Sequence, residues 1–311
     1  MVDPNIRYEK GFMHVPLIAL VLLFSFVIQA RAGVLPEGKG LLFGSDHAFY
    51  LTAPKGWVLD NTSGVQAGVH MAFYPEGETW ADSPVVAYGR SVTRGPRLMS
   101  VEDLVAATVG EFRANGSADY RAIKQRPVKL ASGTEVPIYF FEGDQWGNYE
   151  AAAYFLEKQT INFLVFNARS KEAFRRNLPA FRAILSSYRD LFTASVSLSE
   201  ERFAAYVDDA KSITNMPAGA AYEQASAAIL GQIMAGRVGQ CLSYSGEEEP
   251  KPFQIIMKIE RDGTVSEAYS KPVAGLGFCL LAAFIDHRFP PHTMDVYLQH
   301  VRMNFSFGEQ Q

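Results

Sequence analysis

"INFLVFNARSKEAFRRNLPAFRAILSSY", residues 161 to 188, changes character in its middle, and that change decides the fold class. Up to Arg169 it is a short run rich in Ile, Val and Phe, the composition of a buried strand. Ser170 then stands where a helix would be capped. Phe174, Leu178, Phe181, Leu185 and Tyr188 recur at three- and four-residue intervals, which predicts an amphipathic helix.

Upstream, "YRAIKQRPVKL" (120–130), "EVPIYFFEGD" (135–144) and "YEAAAYFLEK" (149–158) are β-rich, and their separators "ASGT", "QWGN" and "QT" read as hairpin connections. Earlier still, Ser100 and Asp103 have capping-box spacing. They open a helix with Val101, Leu104, Val105, Thr108 and Phe112 on one stripe, stopped by Asn115-Gly116. Before it, "HAFYLTAPKGWVLDN", "VHMAFYP" and "SPVVAYGRSV" are extended segments, with a turn at Pro54-Lys55-Gly56 and the polar loop "EGETWAD". This half is therefore expected to be α+β, an antiparallel sheet covered by helices.

Downstream, "DLFTASVSLSEERF" (190–203) reads as a connection between two halves, with the boundary near Thr193 and a short helix over Glu200–Ala210 that "TNMPAGA" breaks. From Tyr222 a helix is expected with Leu230, Met234, Val238, Cys241 and Leu242 on one stripe, ended by the acidic "EEEPKP". Phe253, Ile255, Met257 and Ile259 alternate with mostly polar neighbours, and Asp262-Gly263 predicts a two-residue hairpin turn. A further helix aligns Leu276, Cys279, Leu280, Ala283 and His287 and ends at Pro290-Pro291. In the last strand Tyr297, Val301, Met303, Phe305 and Phe307 face one way. Leu298, His300, Arg302 and Asn304 face the other and are expected towards solvent.

At the amino terminus, "PLIALVLLFSFVIQA" (16–30) is an apolar run of signal-peptide length, shorter than the roughly 20 residues a bilayer-spanning helix needs, and Ala30-Arg31-Ala32 fits a signal peptidase site. A leader over 1–32 is expected, with mature Gly33 and a periplasmic or secreted protein. The alternative is an inner-membrane anchor formed by residues 15–30. Translation from Met13 would remove the n-region in which Asp3 and Glu9 cancel Arg7 and Lys10. The chain of 311 residues carries a formal charge of −4, and without the leader 26 basic and 31 acidic side chains remain. That balance argues against a general electrostatic grip on nucleic acid.

The "P-K-G-W" turn (54–57), the β-rich stretch, the single helix, the hairpins and the closing helix together resemble the PsbP-like fold over residues 40–191. The resemblance implies a noncatalytic binding or assembly role. Residues 222–307, after a linker at 192–221, resemble the TonB carboxy-terminal domain, closest to its two-cysteine envelope branch. The matching features are Cys241 with Tyr244 soon after, "D-G-T-V" (Asp262 to Val265), Ser270, Cys279, "R-F-P-P" (Arg288 to Pro291) and the final apolar strand. That branch usually places tyrosine directly after the cysteine, where this chain has Leu242-Ser243. With no Pro-rich spacer before this segment, energy coupling is not the expected role. The resemblance implies that the last strand lies at a sheet edge, where a protein partner of the cell envelope could add an extended peptide, with Leu298, His300, Arg302 and Asn304 tuning selectivity.

Two cysteines on the apolar stripes of packed helices, in an exported chain, most simply form a disulfide; two buried reduced thiols are the alternative. Cys-x-x-Cys spacing is absent. His287 and His292 flank "RFPP" with Asp286, Asp295 and His300 nearby, but the prolines prevent a helical two-histidine face, so no metal site is assigned. No Gly-x-Ser-x-Gly, Ser-x-x-Lys, His-Glu-x-x-His, Walker or dinucleotide glycine pattern occurs, so no catalytic residue and no cofactor are assigned. The charges of "EFRANG" and "KEAFRRN" read as solvated helix faces. Trp80 and Trp146 read as plugs under loops, with exposed stacking residues as the alternative. A small-ligand binder or enzyme with a pocket in the first half is the second functional expectation.

Overall fold

The computed structural model describes residues 31–304, apart from 36, 37, 45, 246–250, 274 and 286. Residues 1–30 of the expected leader, Asp286, most of the "EEEPKP" loop, and Phe305 and Phe307 lie outside the described residues.

The described residues begin with three antiparallel strands, β1 (Arg31–Leu35), β2 (Lys39–Phe43) and β3 (Ala48–Thr52). Arg31 and Ala32, assigned above to the leader, are thus the first residues of a strand. Next come β4 (Trp57–Asp60), β5 (Ala72–Pro75), β6 (Val85–Thr93) and the helix α1 (Val101–Ala114). Both capping-box bonds of α1 are present: Asp103 N–H donates to Ser100 Oγ at 3.1 Å, and Ser100 N–H donates to Asp103 Oδ2 at 2.9 Å. Strands β7 (Arg121–Lys124), β8 (Val128–Lys129), β9 (Glu135–Val136), β10 (Ile138–Glu142), β11 (Tyr149–Leu156) and β12 (Thr160–Ala168) follow. Helix α2 (Lys171–Ser186) starts where Ala173 N–H donates to Ser170 Oγ at 3.1 Å. Tyr188, read above as the last residue of its stripe, lies just beyond it.

Seven strands form one sheet in the order β4-β5-β6-β12-β11-β10-β7. Its two faces are buried by different helices. Phe174, Phe181, Ile184 and Leu185 of α2 cover Leu164, Phe166, Ala151 and Ala153, while Val101, Leu104, Val105 and Phe112 of α1 cover Tyr139, Phe141, Ala152 and Tyr154.

A two-residue strand, β13 (Arg189–Asp190), then pairs with β3 and completes a four-stranded sheet, β1-β2-β3-β13. Strands β2 and β3 of that sheet lie inside the molecule. Leu42, Phe49 and Leu51 pack with the α2 core, and Leu41, Phe43, Ala48 and Tyr50 pack with the core of the second half.

The expected linker is helical: α3 (Phe192–Ser197) and α4 (Glu200–Thr214), the latter four residues longer than the periodicity suggested. Helix α5 (Pro217–Ser245) starts five residues before Tyr222, because Pro217 occupies a first-turn position where its missing N–H is not needed. Then β14 (Phe253–Glu260), β15 (Val265–Lys271), α6 (Gly275–Ile285) and β16 (Val296–Met303) complete the chain, with a sheet of order β15-β14-β16. The Asp262-Gly263 turn is a four-residue loop, Arg261–Thr264, closed by Glu260 N–H to the Thr264 carbonyl at 2.8 Å, with a register irregularity beside it at Lys258/Ile259. Helices mixed with antiparallel sheets make the fold α+β.

Candidate functional site

The final strand was the expected partner surface, so its two faces and its edge are considered in turn. On one face Tyr297 is fully buried and its hydroxyl donates to Glu223 of α5. Gln299, equally buried, accepts from Ser226 Oγ at 3.3 Å. The other face differs from the expectation of a solvent row. Leu298 is only 6% exposed, packed with Leu198, Phe203, Ala210 and Ile256. The cause is α4, which lies on this face. His300 is half-buried and hydrogen-bonded to Gln254 Oε1 at 2.8 Å, and burial together with Lys211 and Arg302 lowers its pKa. Only Arg302 and Asn304 of the four reach solvent.

The two sheet edges are unequal. Along β15 runs α3, and Ser270 N–H donates to the buried Ser195 Oγ at 3.3 Å, which caps that edge. Strand β16 pairs with β14 from Glu260↔Val296 to Phe253↔Met303 and, among the described residues, has no strand on its other side.

The turn that feeds this sheet is locked to "RFPP". Phe289 N–H donates to the Gly263 carbonyl at 2.8 Å, and His292 N–H donates to the Arg261 carbonyl at 2.9 Å. Arg288 donates to Asp262 through Nη2 at 2.9 Å and Nε at 3.1 Å. His292 is held by the Ile259 carbonyl and lies edge-on to Tyr222, which explains it as a packing residue. No group of three or more His, Cys, Asp or Glu side chains placed to hold a metal occurs among the described residues. Cys241 and Cys279 form a disulfide between α5 and α6, with Cα atoms 5.6 Å apart.

Sequence reasoning missed the polar groups of the seven-stranded sheet on the face that α2 does not cover. By register, Arg90 on β6 stands beside Phe163 on β12, which stands beside Tyr154 on β11. The Gly89 N–H bond to the Met71 carbonyl continues the β5–β6 pairing, which brings His70 opposite Arg90. Four residues further along β11 and β12, Glu150 stands beside Asn167, whose Nδ2 donates to Glu150 Oε2 at 3.4 Å. Burial pushes the Glu150 carboxyl up to about 7, and burial also raises Tyr88 and Tyr154, whose hydroxyls feel its charge. Burial and the Arg90 charge lower His70. One buried polar atom here, Arg90 Nη1, has no hydrogen-bond partner among the described residues. Trp80 is half-buried over Tyr88 and Val165, and Trp146 over the α1 cluster, so both act as plugs. Glu150 left no sequence signal because "YEAAAYF" is buried on both faces and shows no alternation.

A further acidic pair ties the halves together. Glu157 accepts from the Tyr188 hydroxyl at 2.9 Å and from Thr193 Oγ1 at 3.2 Å, while Thr193 N–H donates to Asp190 Oδ2 at 2.9 Å. Burial, then the Glu157 charge, raises Asp190 to about 7.

No helix among the described residues is long and apolar enough to cross a membrane. No protein-family model and no curated protein matches the chain. Among solved structures it is similar to cyanobacterial PsbP (CyanoP) from Synechocystis sp. PCC 6803, at 14% identity over 51% of this chain and 91% of that one, with a TM-score of 0.31. It is also similar to the Saccharomyces cerevisiae Ran-binding protein Mog1p, at 8% identity over 52% of this chain and 95% of that one, with a TM-score of 0.28.

Proposed function

We propose that this chain is a noncatalytic, exported cell-envelope protein that acts through protein contacts, by strand addition at the outer edge of β16. The observation that carries the reading is the inequality of the two edges: α3 caps β15, whereas β16 pairs only with β14 among the described residues. An eight-residue edge offers a row of main-chain donors and acceptors to an extended peptide. The TonB-like resemblance of residues 222–307 supports it, since Cys241, "D-G-T-V", Cys279 and "R-F-P-P" are the parts that brace this sheet. Selectivity in this reading rests on Arg302 and Asn304, because Leu298 and His300 are engaged by α4 and Gln254.

The test starts from a partner captured from an envelope extract on the immobilised chain and identified by mass spectrometry. Arg302→Pro removes an edge donor, so the measured affinity should fall by about tenfold or more. Unchanged affinity in a folded variant overturns strand addition. Export is tested separately by sequencing the mature amino terminus, which is expected at Gly33.

A further inference from the structure

The polar groups on the α1 side of the seven-stranded sheet are not used by an edge-strand mechanism. Arg90 is a half-buried cation whose Nη1 is sealed from water, without a hydrogen-bond partner and without an ion-pair partner among the described residues. An uncompensated cation of this kind is costly, and an arginine fork is shaped to bind a planar anion. Its neighbours do not supply one. His70 is neutral or cationic, Phe163 is apolar, and Glu150, hydrogen-bonded to Asn167, stands two strands over and four residues further along the sheet.

The surroundings are aromatic. Phe163 and Trp80 are half-buried over Tyr88 and Val165, and Tyr154 follows Phe163 across the sheet. The row of the sheet beside Arg90 and Phe163 runs Ala72, Tyr88, Val165, Ala152, all buried. Among the described residues no helix packs on the Trp80 end of this face; the cluster there is closed by Val69 and Trp80 from the loops on either side of β5. A cation with an unused donor beside an aromatic wall is suited to a flat apolar molecule that carries one negative group.

We infer that this face binds a small aromatic anion, its carboxylate or sulfonate received by the Arg90 guanidinium and its ring held against Phe163 and Trp80. The site is independent of the β16 edge, which lies on another sheet.

The experiment uses 8-anilinonaphthalene-1-sulfonate and its uncharged counterpart N-phenyl-1-naphthylamine, titrated by fluorescence against the full mature chain. The sulfonate is expected to saturate one site and to be displaced by benzenesulfonate but not by the neutral benzenesulfonamide. Arg90→Met should weaken the sulfonate by about tenfold or more while leaving the uncharged dye unchanged, and Arg90→Lys should recover part of the loss. Displacement by both competitors alike, measured on the unaltered chain, would overturn the anion assignment without depending on any variant's folding. Equal sulfonate affinity in Arg90→Met, or no saturable binding, would do the same for the site.

Discussion

Gly263 and Phe289 meet backbone to backbone: the Phe289 N–H donates to the Gly263 carbonyl at 2.8 Å, and a Cβ on Gly263 would lie 1.9 Å from the Phe289 carbonyl oxygen. Gly263 also has φ +85°, a region costly for other residues. Gly263→Ala is therefore expected to cost about 3 kcal/mol or more, read as a lower midpoint in urea unfolding of the full chain. A loss below about 1 kcal/mol would mean that the turn and "RFPP" can part cheaply.

The Cys241–Cys279 bridge closes a separation of 38 residues. In the chain-entropy account this contributes about 4 kcal/mol. Replacing both residues with Ala should lower stability by that order, and unreduced protein from an oxidising compartment should contain no titratable thiol. Two thiols in that sample would refute the bridge.

Glu150 sets a pH dependence whose sign follows from its raised pKa. The ordinary value is 4.5 and burial raises it to about 7, so the folded state holds the proton more tightly than the unfolded state. Its contribution is complete below about pH 4.5 and is lost as pH rises through about 7, amounting to about 3 kcal/mol. Glu150→Gln should flatten this part of the stability profile between pH 4.5 and 8 and raise stability at pH 8. An unchanged slope would show that the carboxyl is solvated.

At the start of α1, Ser100→Ala removes the oxygen that accepts from Asp103 N–H. The expected cost is about 1 kcal/mol, measured by thermal unfolding, with no change in the disulfide.

These caps illustrate what the sequence makes legible. Ser100, Ser170 and the apolar stripes behind them are local, so their residues alone reveal helix starts and buried faces. The pairing of β13 with β3 is not local. Arg189–Asp190 is too short to carry a period, and Tyr50 and Phe49, its partners, lie far back in the chain. Leu298 was assigned to the correct face of its strand, but the covering of that face depends on Phe203 and Ala210 of α4, whose own pattern does not name its target. Glu150 escaped notice because β11 is buried on both faces, so a single charged residue interrupts no alternation, and Arg90 because it stands where β6 passes from buried to half-buried.

The four-stranded sheet that holds Leu42, Phe49 and Leu51 on one side and Leu41, Phe43 and Tyr50 on the other has a consequence for how this protein can be divided. Residues 40–191 expressed alone would turn Leu41, Phe43 and Tyr50 towards water, and residues 192–304 alone would lose the surface against which Phe192 and Phe278 pack. The two halves are therefore not interchangeable parts. A chimera that exchanges either half for a relative's would have to rebuild the inner sheet, because each side of that sheet is the wall of a different core.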